Sequence, residues 1–101
     1  MSNVAALPLR ALVEANREEI KAIVRRHKAR AVALFGSVGR GDETPASDID
    51  LLVEFEAGSS LFDLGDLQDE LASLLGHRVD VVSVGGLKAR DHRIRREARW
   101  L

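Results

Sequence analysis

At 101 residues, with 46% apolar and 31% charged side chains, the chain can enclose one core and not two. No cysteine is present, which excludes disulfides and thiolate metal sites, and three phenylalanines and one tryptophan with no tyrosine make direct nucleic-acid binding by base stacking an unlooked-for role. The near-zero net charge hides a segregation: residues 1–30 carry seven Lys/Arg and three acids, residues 87–101 six and two, and residues 31–86 only Arg40 and Arg78 against eleven acids.

Such a distribution can gather cations at the centre and phosphates or an acidic partner at the ends. Amphipathic terminal helices that simply solvate basic faces explain most of those arginines equally well. The N-terminus lacks a basic segment followed by an apolar run, and no stretch approaches the roughly 18 apolar residues of a membrane span. A cytoplasmic protein with no membrane partner is expected.

In chain order, Asn16-Arg17-Glu18-Glu19 has the form of a capping box. It opens a helix with Ile20, Ile23, Val24 and His27 on one face, extended upstream by a turn around Leu9 to Val13. Ala31 to Phe35 is almost wholly apolar and ends in glycine, as a buried strand does. Ser37 to Ser47 is polar and glycine-rich, room for one helical turn and a loop; Asp48 to Glu56 reads as a second strand. Ser60-Leu61-Phe62-Asp63 is another capping box, opening a helix with Leu64, Leu67, Leu71, Leu74 and Leu75 at helical spacing and Gly76 as its stop. Arg78 to Val84 makes a third strand, and Leu87, Ile94, Ala98 and Leu101 mark a last amphipathic helix. The order α-β-α-β-α-β-α over residues 1–101 describes one α/β (α+β) domain with helices packed on a small sheet of three or four strands. Strand directions are not settled by the pattern.

Asp48-Ile49-Asp50 is the unusual feature of this plan. Side chains alternate along a strand, so the two carboxylates share a face about 6.6 Å apart, while Ile49, Leu51, Val53 and Phe55 line the other. Like charges beside an apolar sheet repel, and desolvation adds to the cost. Divalent cations relieve both, and an oxygen-only donor set without histidine suits Mg²⁺ or Mn²⁺ rather than zinc. Asp80, the lone charge among the valines of Val79 to Val82, completes a candidate triad if its strand neighbours the second. Two cations roughly 3.5–4 Å apart would then stabilise the attacking and leaving oxygens of an in-line phosphoryl displacement.

Gly36-Ser37 supplies the complementary half. Glycine permits a tight turn and close backbone approach, and the Ser37 N–H and hydroxyl can face phosphate oxygens of a nucleoside triphosphate. Arg40, isolated among acids, can pair with a phosphate or with charge on the acceptor. Other phosphate and cation motifs fail: Asp42 stands where a P-loop needs lysine, Thr44 where a dinucleotide fingerprint needs glycine, and Leu52 where an EF-hand needs a third ligand.

Leu34-Phe35-Gly36-Ser37, a ten-residue spacer, Asp48-Ile49-Asp50-Leu51 and a later Asp80 together resemble the DNA polymerase beta-type nucleotidyltransferase superfamily. Gly36-Ser37-Val38-Gly39-Arg40-Gly41, Ser47-Asp48 and Ile94-Arg95-Arg96-Glu97-Ala98 are similar to the minimal nucleotidyltransferases (MNT) in particular, over roughly residues 16–101. Gly39 departs from the alanine often found there. The resemblance implies a mixed sheet and Mg²⁺-dependent transfer of AMP from ATP with release of pyrophosphate. Asp48 and Asp50 would hold both ions, Asp80 the one nearer the nucleophile, and Gly36 and Ser37 the terminal phosphates. It also implies an antitoxin that neutralises a HEPN-type ribonuclease toxin by adding AMP to a tyrosine. The alternatives are an antitoxin that blocks its partner by binding alone, and a stand-alone transferase acting on a small molecule or an RNA end.

So small a transferase needs another protein, or a second copy of itself, to complete its acceptor site, so a hetero-oligomer or homodimer is expected. The basic tail with Lys88, Arg90, Arg93, Arg95, Arg96 and Arg99 around Trp100 is a candidate docking surface, and Trp100 covering the core margin is an equal alternative. Asp63, Asp66, Asp69 and Glu70 read as the solvated face of the leucine helix. His27, His77 and His92 lack partners at ligand spacing, and Glu54 and Glu56 read as solvated strand positions.

Overall fold

The computed structural model describes residues 8–44, 46–87 and 91–101. Two short helices, α1 (Leu9–Ala15) and α2 (Arg17–Arg26), precede β1 (Ala29–Phe35), which runs directly into α3 (Gly36–Arg40). Then follow β2 (Ile49–Phe55), α4 (Leu61–Leu75), β3 (Val79–Ser83) with a 3₁₀ turn at Val84–Gly86, α5 (His92–Glu97) and the two-residue β4 (Arg99–Trp100). The sheet order is β3-β2-β1-β4, with β1 antiparallel to both β2 and β4 and β2 parallel to β3. The sheet is mixed, as expected, and has four strands. Its parallel pair is joined through α4, the crossover that parallel neighbours require.

Two expectations fail at the ends of helices. Asn16 does not cap α2: its side-chain amide donates to the Leu12 carbonyl at 2.8 Å and closes α1 instead. The helices abut there, with Ile20 N–H bonded to the Asn16 carbonyl, and the orphan carbonyl of α1 wins the side chain. The last helix does not extend to Leu101. It stops at Glu97, and Arg99 and Trp100 pair with Leu34 and Ala33 as an edge strand. The Ser60 capping box forms as read, with Asp63 accepting from the Ser60 N–H at 2.8 Å.

Alternation along the strands sorts side chains onto two faces. Val32, Leu34, Ile49, Leu51, Val53, Val79 and Val81 join Val13, Ile20, Val24, Leu67 and Leu71 from the helices in the main core. Ala33, Phe35 and Leu52 form a thin second cluster on the other face, covered by Val82, Val84, Leu87, Ile94 and Ala98. Asp50 and Asp80 lie on that thinly covered face. No helix among the described residues is long and apolar enough to cross a membrane.

Candidate active site

The register of the central strands does the assembling. Asp50 stands opposite Phe35 across the antiparallel pair and opposite Asp80 across the parallel pair. Cross-strand partners project from the same face, so the Asp50 and Asp80 carboxylates are neighbours at one end of the sheet. Asp48 precedes β2 by one residue, on the same side. Asp50 is half-buried, and its carboxyl is raised above the ordinary aspartate value, first by burial, then by the charges of Asp80 and Asp48; Arg40 opposes the shift.

Gly36 closes the site from the β1 end. It follows the residue opposite Asp50, with φ +72°, and a Cβ built on it would sit 3.1 Å from Asp50 Cγ, with the carboxylate oxygen closer still. Both the left-handed backbone and the contact with Asp50 therefore demand glycine. Gly39, one turn on, is confined less severely: a Cβ there would meet the Leu34 carbonyl oxygen at 3.1 Å, so alanine at this position would require β1 to give by a few tenths of an ångström. Ser37, half-buried, begins the helix beside the carboxylates, and its carbonyl accepts from the Gly41 and Asp42 N–H groups. Arg40 reaches Asp42 and Glu97, each at 3.3 Å, and so ties α3 to α5. Those two carboxylates, Asp42 first, raise its already high pKa.

Arg78 has a role the sequence reading did not assign. The parallel register pairs Ile49 with Val79, so the residues before them also meet. Arg78 Nε lies 3.0 Å from Asp48 Oδ1, the Arg78 carbonyl accepts from the Ile49 N–H at 3.0 Å, and His77 Nε2 donates to the Ser47 carbonyl at 2.6 Å. The signal was present: Arg78-x-Asp80 repeats the spacing of Asp48-x-Asp50, with opposite charge at the first position. With Asp48 drawn towards Arg78, no three acidic or imidazole groups among the described residues meet at cation-binding distance.

The residues nevertheless fit a divalent cation. All three candidate donors are carboxylate oxygens, the hard ligands that Mg²⁺ and Mn²⁺ prefer. Asp50 is under repulsion that no neighbour fully offsets. The Asp48 side chain is 46% exposed, free to exchange Arg78 for a cation by rotating about its own bonds.

The nucleotidyltransferase domain family matches residues 17–99. The chain belongs to that family. Protein adenylyltransferase MntA of Thermococcus cleftensis is 40% identical over 80 residues, covering 71% of this chain and 81% of that protein. A solved minimal nucleotidyltransferase superposes with a TM-score of 0.80 at 44% identity, over 88% of this chain and 92% of its own. A crystal structure of a toxin–antitoxin with AMP-PNP is similar at 27% identity and a TM-score of 0.67, over 78% of this chain and 65% of that one. The matched span includes Gly36, Ser37, Asp48, Asp50 and Asp80.

Of the remaining sequence candidates, Glu70 leaves the solvated face of α4 to hold α2, bonded to His27 Nε2 at 2.7 Å and paired with Arg26. His27 and His77 are thus packing residues. Trp100 is 49% exposed on β4, at the margin of the sheet. Lys88 and Arg90, from the expected docking surface, lie outside the described residues.

Proposed function

We propose that this protein transfers AMP from ATP to a tyrosine of a HEPN-type toxin and thereby acts as its antitoxin. The observation that carries the reading is the placement of Asp50 against Asp80 across paired strands, with Gly36 in contact with Asp50. Family membership supports the nucleotidyl chemistry, and the names of the similar proteins, a protein adenylyltransferase and a toxin–antitoxin with AMP-PNP, support the acceptor and its biology.

Asp48, Asp50 and Asp80 are the residues that would hold two Mg²⁺, with Mn²⁺ an acceptable substitute. When bound, the ions supply the positive charge that stabilises the attacking and leaving oxygens. The protein's own groups do the rest. The backbone at Gly36 and Ser37 orients the terminal phosphates, and Arg40 lends a positive field to the same end. Asp80 receives the phenolic proton as the tyrosine oxygen bonds to the α-phosphorus and the bond to the bridging oxygen breaks, releasing pyrophosphate.

Incubation with α-labelled ATP and Mg²⁺ should label the toxin, and Asp48→Ala/Asp50→Ala should reduce labelling to background while circular dichroism stays native. Labelling by the double variant at the wild-type rate would remove these carboxylates from the chemistry. Protection of cells by a double variant that no longer labels would instead favour an antitoxin acting by binding alone.

A further inference from the structure

Where β2 and β3 begin, their side chains form a block of four. Residues two apart on a strand share a face, and the parallel register sets Asp50 beside Asp80 and Asp48 beside Arg78. Arg78 is the cation of that block, and its Nε donates to Asp48 Oδ1 at 3.0 Å. Among the described residues no other ion pair involves Asp48, Asp50 or Asp80. Arg40, the other cation beside the site, is taken up by Asp42 and Glu97. With Asp48 turned to Arg78, no three acidic or imidazole groups of the described residues lie together as a cation would need them.

The ion pair is not what joins the two strands. The Ile49 N–H donates to the Arg78 carbonyl at 3.0 Å, and His77 Nε2 donates to the Ser47 carbonyl at 2.6 Å. These bonds fix the chain on both sides of Asp48 to the start of β3. The Arg78 and Asp48 side chains are 81% and 46% exposed, and a pair so open to water contributes little to stability. What it does decide is where the Asp48 carboxylate points.

We infer that Arg78 is a built-in counter-ion, which holds Asp48 until a divalent cation claims that carboxylate and is displaced when it does. The inference rests on the cation site proposed above and concerns how that site is loaded. Before loading, the guanidinium offsets part of the repulsion among three carboxylates. A divalent cation brings twice its charge to hard oxygen donors, so the exchange runs towards the cation. It is not free, because Asp48 must give up a charged partner. Cations are therefore held less tightly than three unengaged carboxylates would hold them. Arg78 is a positioning residue: it acts on the reaction through Asp48.

The Hε–Nε signal of Arg78 in a ¹H–¹⁵N spectrum, identified by its loss in Arg78→Gln, reports the pair directly. Titrating the full chain with Mg²⁺ should move that signal to the position it has in Asp48→Asn, where no carboxylate holds it. In Mn²⁺ titrations followed by electron paramagnetic resonance, Arg78→Gln should bind the ion about threefold tighter than wild type. No misfolded variant can mimic such a gain. An Arg78 signal that stays in place while wild type binds Mn²⁺ would overturn the inference and leave the cation site standing. So would a signal already at the Asp48→Asn position before Mg²⁺ is added, or Mn²⁺ binding by Arg78→Gln no tighter than wild type. Absence of any Mn²⁺ binding that Asp50→Asn removes would instead overturn the cation site itself, and this inference with it.

Discussion

The two faces of the sheet divide the work of the molecule. The face under α1, α2 and α4 buries seventeen of the described residues, all apolar, from Leu9 to Val81. The opposite face buries three, Ala33, Phe35 and Leu52, under a partial cover, and it carries Asp50 and Asp80. The same strands serve both, because alternation sends Ile49 and Leu51 one way and Asp50 the other. The lesson is that a thick core on one side lets the other stay thin enough for charged groups to remain wet. Carboxylates on central strands are tolerable where cover is incomplete and would be prohibitive beneath α4.

This contrast can be broken from either side. The largest expected effect is on chemistry: Asp50→Ala should lower AMP transfer on the order of a hundredfold or more, with little loss of stability, as measured by labelling and by thermal melts. Leu51→Ala, one residue along the same strand, should do the reverse. It is fully buried and should cost about 2–5 kcal/mol in denaturant unfolding, whereas Val82→Ala under the thin cover should cost about 1 kcal/mol. Equal costs for the two would contradict the division of the faces.

Gly36→Ala tests the junction between core and site. The positive φ alone should cost about 1–2 kcal/mol, and the new methyl must also displace Asp50, so transfer should fall further than the stability loss explains. A variant that melts earlier but transfers normally would mean that contact with Asp50 is incidental.

A smaller effect sharpens the electrostatic side. Asp50 has its carboxyl raised above the ordinary 3.8, first by burial and then by Asp80 and Asp48. A raised carboxyl favours the protonated form in the fold. The associated stability is complete below the unfolded-state value and is lost as pH rises through the folded one. Asp50→Asn should therefore melt a few degrees higher than wild type at neutral pH without divalent cations, and the gap should close at acid pH. Added Mg²⁺ should raise the wild-type midpoint and not that of the variant. The smallest change is expected at Glu70, whose carboxyl is lowered chiefly by its hydrogen bond to His27 and, against partial desolvation, by Arg26. Its sign is opposite: the contribution is present at neutral pH and fades as pH falls through the lowered value, so Glu70→Gln should melt slightly lower at pH 7 and match wild type in acid.

Much of the site could be read from spacing. Asp48-x-Asp50 and Gly36-Ser37 are local patterns, and a two-residue period in a strand gives the direction of side chains without any tertiary knowledge. Arg78 escaped notice because its partner, Asp48, is thirty residues away and meets it only through the register of a parallel pair. Arg99 and Trp100 escaped for a different reason. Their helical periodicity competes with the unpaired edge of β1, where the buried Ala33 and Leu34 need backbone partners, and the edge prevails. Asn16 likewise carried a valid capping pattern that a neighbouring helix end claimed first.

Local sequence alone determined most of the strands and helices before residue 98, which side of each of those strands is apolar and which carboxylates share a side, because these follow from steric alternation within a few residues. Only the folded chain decided that β3 runs parallel beside β2, so that Asp80 meets Asp50 and Arg78 meets Asp48, and that Arg99 and Trp100 pair with β1 as a strand. Those outcomes depend on which distant backbones satisfy one another's hydrogen bonds, a global accounting that no short window of residues contains.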